Sequence, residues 1–186
     1  AAVTLGAGSF LNVTGGNLGT GGAAGTNGAD GQAGSASISI VSLDGSGTAN
    51  VAGSSAQLWV GSGDFDGVLS GNATLQKTGT GTLTLTGNHS YSGGTSILQG
   101  DFLVAGGRLG TGTVVNNAYM YYQNSASAVG STLVNNQNLS FQDGSTAADA
   151  VITNNNNMYI MDNATAGNAN ITTNDSLQFS DNSSAQ

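Results

Sequence analysis

The chain has 186 residues and a formal net charge of −8, with two basic side chains, Lys77 and Arg108, against ten acidic ones. Such a chain repels phosphate groups and anionic lipids, which argues against nucleic acid as a partner and against docking on a membrane. Cysteine and proline are absent, so no disulfide framework holds the fold. No apolar run approaches the length of a membrane span, and the first residues lack the pattern of a signal peptide.

The N-terminal region contains short alternating segments separated by a glycine-rich tract. Residues 3–5 and 10–13 predict a pair of strands, and residues 37–40 predict another strand. Residues 19–34 are mainly Gly, Ala and Thr, with no apolar period. We expect this tract to be a flexible insertion that loops out of one coil, because it cannot bury enough side chain to offset the cost of ordering it.

The middle of the chain continues with short strands. Residues 82–86 alternate with period two and end at Gly87, and residues 97–106 supply two further strands. If Ile97 lies under Val114, then Leu103 lies under Met120, a spacing of 17 residues. This alignment predicts a coil two residues shorter than the coils that follow it.

From residue 114 onward the sequence repeats with a period of 19 residues. Four apolar columns are Val114, Leu133, Ile152 and Ile171; Met120, Leu139, Met158 and Leu177; Tyr122, Phe141, Ile160 and Phe179; and Ala128, Ala147, Ala166 and Ala185. The units are rich in Asn, Ser, Thr and Gly, which are poor helix formers, and within them apolar and polar residues alternate as in a half-buried strand. Three short strands per unit, stacked about 4.8 Å apart, predict an all-β fold, a parallel β-helix.

One polar column stands beside the apolar ones. Asn117, Asn136, Asn155 and Asn174 recur at the same position of each unit. Asn tolerates left-handed backbone angles, so we expect this column at a corner of the coil, where stacked carboxamides form a structural hydrogen-bonded ladder.

The search for catalytic and metal-binding residues finds few candidates. His89 is the single histidine, and a nucleophilic triad would depend on it. Lys77 and Arg108 are the only bases available for polysaccharide cleavage, so we predict no catalytic residue, no cofactor and no enzymatic activity. Asp143, Asp162 and Asp181 share a column that Asn124 continues, which makes a weak calcium site a candidate. The favoured interpretation is that these side chains cap turns in water.

One segment carries a family resemblance. Residues 75–95, LQKTGTGTLTLTGNHSYSGGT, followed by Leu103 and Val104, resemble the passenger-associated repeat of bacterial autotransporters. His89 departs from the pattern, which usually has Asn or Thr just before the Tyr. The Asn-rich coils downstream are similar to those that accompany this repeat in large secreted passengers.

The resemblance implies a right-handed β-helix, exported and threaded through an outer-membrane β-barrel at the C-terminus of the parent protein. We therefore expect residues 1–186 to be a fragment of one passenger domain, with the repeat at 75–105 and regular coils at 114–186. No direct membrane insertion by this fragment is expected.

The expected function is adhesion or bacterial self-association at the cell surface or outside the cell. The partners would be host surface or matrix components, or identical passengers on neighbouring cells. The candidate contact residues are Asn116, Asn135 and Asn154 beside one corner, Asn124, Asn163 and Asn182 near the opposite corner, and Tyr121 and Tyr159. The alternative is a non-adhesive stalk and secretion-folding segment that carries a toxin or enzyme head.

Overall fold

The structure is a computed structural model that describes residues 2–6, 8–14, 37–53 and 55–185. Every regular element among these residues is a β-strand, and none of them forms a helix long and apolar enough to cross a membrane. The glycine-rich tract at 19–34 lies outside the described residues. The strands are β1 (Ala2–Leu5), β2 (Phe10–Thr14), β3 (Ser37–Gly45), β4 (Thr48–Ala52), β5 (Gln57–Phe65), β6 (Val68–Gly71), β7 (Thr74–Lys77), β8 (Thr82–Leu85), β9 (Thr95–Ile97), β10 (Asp101–Ala105), β11 (Thr113–Asn116), β12 (Tyr119–Gln123), β13 (Thr132–Asn135), β14 (Asn138–Phe141), β15 (Val151–Asn154), β16 (Asn157–Ile160), β17 (Asn170–Thr173) and β18 (Ser176–Phe179).

The strands stack in parallel into walls. From β7 onward the odd-numbered strands pair with one another and form a first wall, and the even-numbered strands form a second wall. The long strand β5 bends across the corner, because its first half pairs with β7 and its second half pairs with β8. A third wall consists of β2, β4 and β6, and it continues as single bridges such as Ser127 to Thr146. The chain is therefore a parallel β-solenoid with about 19 residues per turn, which confirms the predicted fold class.

The repeat columns coincide with the pairing register. Val114 pairs with Leu133, and Met120 pairs with Leu139, as the period of 19 residues requires. The prediction of a coil two residues shorter upstream is wrong. Thr95, rather than Ile97, pairs with Val114, and Phe102, rather than Leu103, pairs with Met120. Matching apolar residue to apolar residue fails here, because the residue stacked on buried Ile97 is the amide Asn116.

The interior is narrow and filled by stacked side chains. Phe102, Met120, Leu139 and Met158 are fully buried in consecutive coils of the second wall. The rings of Tyr122 and Phe141 are parallel within 7°, with centroids 4.7 Å apart. Each such side chain contributes about 1.5–3 kcal/mol by leaving water. The stacked core is therefore a main source of the stability of the coil.

Candidate functional site: the polar corner and the tyrosine groove

The first wall ends in a column that points inward. Lys77, Ile97, Asn116, Asn135, Asn154 and Thr173 pair one above the other at the ends of β7, β9, β11, β13, β15 and β17. We call this set the inner corner column. All its members from Lys77 to Asn154 are buried, at most 1% exposed. Four of these five buried positions carry a polar side chain, so the corner needs an explanation in hydrogen bonds.

The buried amides hold the corner together. The Nδ2 of Asn116 donates to Oδ1 of Asn135 at 2.7 Å, and Asn135 donates to Oδ1 of Asn154 at 2.6 Å. Nδ2 of Asn135 also lies 3.0 Å from the carbonyl oxygen of Gln137 in its own turn and 2.9 Å from that of Asn157 in the next coil. Each amide therefore ties its own turn to the following one.

This geometry corrects the predicted contact surface. The sequence predicts that Asn116, Asn135 and Asn154 meet a partner, but their side chains are buried and their amides are committed to the corner. The prediction is wrong, because the strand alternation turns these residues inward and their neighbours at 117, 136 and 155 outward.

The neighbouring column forms a second ladder on the outside. Nδ2 of Asn136 donates to Oδ1 of Asn117 at 2.9 Å, Asn155 donates to Asn136 at 2.9 Å, and Asn174 donates to Asn155 at 2.7 Å. In this outer ladder each amide donates to the preceding coil. In the inner corner column each amide donates to the following coil. The two ladders run side by side in opposite directions.

Lys77 occupies the same column as the buried amides and makes equivalent bonds. Its Nζ donates to the carbonyl oxygens of Thr78 at 2.9 Å, Gly79 at 2.8 Å and Gln99 at 2.9 Å. The connection from β7 to β8 spans residues 78–81, whereas the connection from β11 to β12 spans only 117–118. A longer turn places the carbonyls farther away, which suits the longer side chain. Burial lowers the pKa of the Lys77 amine, and the negative charge of Asp101 opposes that shift.

His89 is also buried, on the third wall. Its Nδ1 accepts a hydrogen bond from the backbone N–H of Leu69 at 3.1 Å, and its ring stacks near Phe65. The Nε2 atom is buried without a hydrogen-bond partner. Burial lowers the pKa of His89 to about 4. The ring therefore serves the packing of this wall as a neutral side chain.

The aspartate column has a conformational explanation. Asn124, Asp143, Asp162 and Asp181 have φ between 51° and 56°, in the left-handed region that Asn and Asp tolerate better than most residues. They are exposed, and the described part of the chain holds no group of three or more His, Asp or Glu side chains able to bind a metal ion. The calcium interpretation has no structural support. Asn163 and Asn182 lie exposed in the same turns.

The tyrosines meet in a surface groove on the second wall. Tyr121 pairs with Ser140, and Ser140 pairs with Tyr159, so one small residue separates two large ones. The groove has a volume of about 250 Å³ and is also lined by Tyr119 and by the amides of Asn138 and Gln142. Tyr119, which is 47% exposed, is a groove residue that the sequence reasoning missed. Its position two residues before Tyr121 on an alternating strand was the available signal.

The comparisons with known proteins concern the coil that contains Lys77. Residues 75–104 match the family model of the passenger-associated-transport-repeat. They span most of β7 and β10 and include β8 and β9, so the matched segment contains the Lys77 turn and its partner Gln99. No curated protein and no solved structure matches the chain. The repeat at residues 75–104 and the parallel β-solenoid that contains it fit the passenger domain of an autotransporter.

Proposed function

We propose that this segment acts in adhesion or bacterial self-association, outside the cell or at its surface, and has no enzymatic role. The observation that carries the proposal is the groove on the second wall, where Tyr119, Tyr121 and Tyr159 line one surface with the amides of Asn138 and Gln142. Tyrosine supplies a large contact area with a polar end and loses little conformational freedom on binding. The partner is a component of a host surface or matrix, or a second passenger.

The solenoid geometry suits weak contacts made many times. A parallel stack repeats its outer surface at about 4.8 Å per coil, so successive coils present a linear array to a partner. Uncharged amides and tyrosines are cheaper to desolvate than carboxylates, which favours contact on this wall of an otherwise acidic chain. Many copies of the protein on one cell raise the effective affinity without any deep pocket.

The test uses beads coated with the purified chain. Wild-type beads should clump, or should bind a mammalian cell monolayer or a fibronectin-coated surface. A Tyr121→Ser, Tyr159→Ser variant should lose most of this binding. The matched control is Val115→Ser, Val134→Ser, which removes outward apolar side chains from the first wall of the coils that contain Tyr121 and Ser140. Binding that survives in the tyrosine variant, or is absent from wild-type beads, contradicts the proposal.

The second candidate function is a structural stalk that also assists folding during secretion. It is favoured by the Lys77 contacts, which tie consecutive turns within the transport repeat itself. Deleting residues 133–170 removes two whole units and preserves the register. In the intact parent protein, a stalk should keep working at shorter reach after this deletion, whereas an adhesive wall should lose avidity steeply.

A further inference from the structure

We propose that the groove between Tyr121 and Tyr159 is a subsite for one uncharged sugar ring of a glycan. This inference rests on the proposed adhesive function and names its ligand. The three points that carry it are the width of the gap, the chemistry of its lining and the absence of charge on that lining.

The width follows from the pairing register. Tyr121 and Tyr159 stand on β12 and β16, with Ser140 of β14 directly between them. Strands two apart in a sheet are separated by roughly 9.5 Å. A single ring between two aromatic side chains needs about 7–8 Å, because carbon atoms make contact at roughly 3.5–4.0 Å on each side. The gap therefore admits one puckered ring and is too narrow for a helix.

The lining supplies both kinds of contact that a sugar needs. The tyrosine rings offer apolar faces to the C–H groups of a pyranose, and their hydroxyls remain polar. Besides the apolar side chain of Met161, the lining between them carries hydroxyl and amide groups. Nε2 of Gln142 donates to Oγ of Ser140 at 2.8 Å, and Nδ2 of Asn157 donates to Oδ1 of Asn138 at 3.1 Å. Hydroxyl and amide groups pair with sugar hydroxyls as donors and acceptors.

The absence of charged residues in the lining favours neutral sugars over acidic ones. The residues that line the groove are all uncharged, and Asp101 pairs with Tyr119 at its edge. The chain as a whole carries a net charge of −8. A sialic acid or uronic acid would lose its hydration without meeting a cation, whereas a neutral hexose or N-acetylhexosamine has no such penalty.

The experiment is an array of immobilised neutral and acidic glycans probed with the purified chain, followed by titration of the best neutral glycan. We expect retention on neutral glycans only, with saturation-transfer NMR placing the contact on ring C–H protons. Tyr159→Ser should weaken binding by roughly 3- to 10-fold, the value of one aromatic contact. Ser140→Tyr should abolish binding by filling the gap. Thr153→Tyr, which adds a tyrosine to the outer face of the first wall, should leave binding unchanged.

Several results would overturn the inference. These are no retention on any neutral glycan, equal retention on acidic glycans, or undiminished binding by Ser140→Tyr when circular dichroism shows it folded. If the tyrosine variant stops bead clumping while sedimentation shows that the same residues only join two copies of the chain, the adhesive function stands and the sugar site does not. Glycan binding without bead or cell adhesion would support the sugar site and refute the adhesive function.

Discussion

Replacing Lys77 by methionine removes the three hydrogen bonds that hold the turn of the transport repeat and shortens the unbranched side chain by only one atom. Each bond from a charged donor contributes about 1.5–3 kcal/mol. Against their sum stands the cost of burying an ammonium, which is several kcal/mol after relaxation. Because the side chain is fully buried and its Nζ lies 2.8–2.9 Å from each acceptor, we expect a net loss of about 2–4 kcal/mol in the free energy of unfolding.

The assay is denaturant unfolding followed by the fluorescence of Trp59, the single tryptophan. Trp59 pairs with Gln76, so it reports on the coil next to Lys77. Gln76→Met is the matched control, since it places the same side chain on the outer face of the same strand, and it should change stability by less than about 0.5 kcal/mol. Lys77→Asn should not rescue the loss, because a short amide cannot span the longer turn. The reasoning is refuted if Lys77→Met is as stable as the wild type.

Three further predictions concern other parts of the solenoid. Asn135→Leu leaves buried carbonyls without donors and should lower the free energy of unfolding by about 2–4 kcal/mol, whereas Asn136→Ala in the exposed ladder should lower it by under about 1 kcal/mol. Equal losses in thermal or denaturant unfolding would show that burial does not matter. Between pH 6.5 and about 4, His89 takes up a proton in the unfolded chain but not in the native one, so the free energy of unfolding should fall by about 3 kcal/mol as the pH is lowered. A titration of stability against pH should show this slope in the wild type but not in His89→Asn. A Cβ at Gly110 would lie 2.0 Å from the carbonyl oxygen of Tyr91, and one at Gly130 would meet nothing within 4 Å. Gly110→Ala should therefore lower the melting temperature much more than Gly130→Ala. The Gly130 variant should lose only about 1–2 kcal/mol of stability, because its backbone has a positive φ.

Much of the fold could be predicted from the sequence because the apolar residues recur in register. Met120, Leu139 and Met158 share a slot, and in a parallel stack such residues must lie over one another. The coil before the regular repeat could not be aligned in the same way. Its inner corner residue Ile97 stacks against Asn116. An alignment that matches similar residues in successive coils does not pair an aliphatic side chain with a carboxamide.

The site was harder to predict, because polar residues are expected to face the solvent. Asn116 and Asn117 are adjacent and chemically identical, yet one is buried and the other exposed. Only the strand alternation separates them: Val114 points inward, so Asn116 does too. The same alternation places Lys77 on the inner face of its strand, together with Leu75. The tyrosine groove depends on Ser140 standing between two larger side chains, which follows from the register once the repeat is accepted.

The opposed directions of the two asparagine ladders have a consequence for how such a rod lengthens. Every carboxamide carries a dipole, and a single ladder would sum these dipoles along the axis as a helix sums its peptide groups. Within these two ladders, one added coil contributes one amide in each sense, so the two ladders oppose each other. Duplicating a unit therefore lengthens both ladders without their dipoles adding up along the axis of the rod.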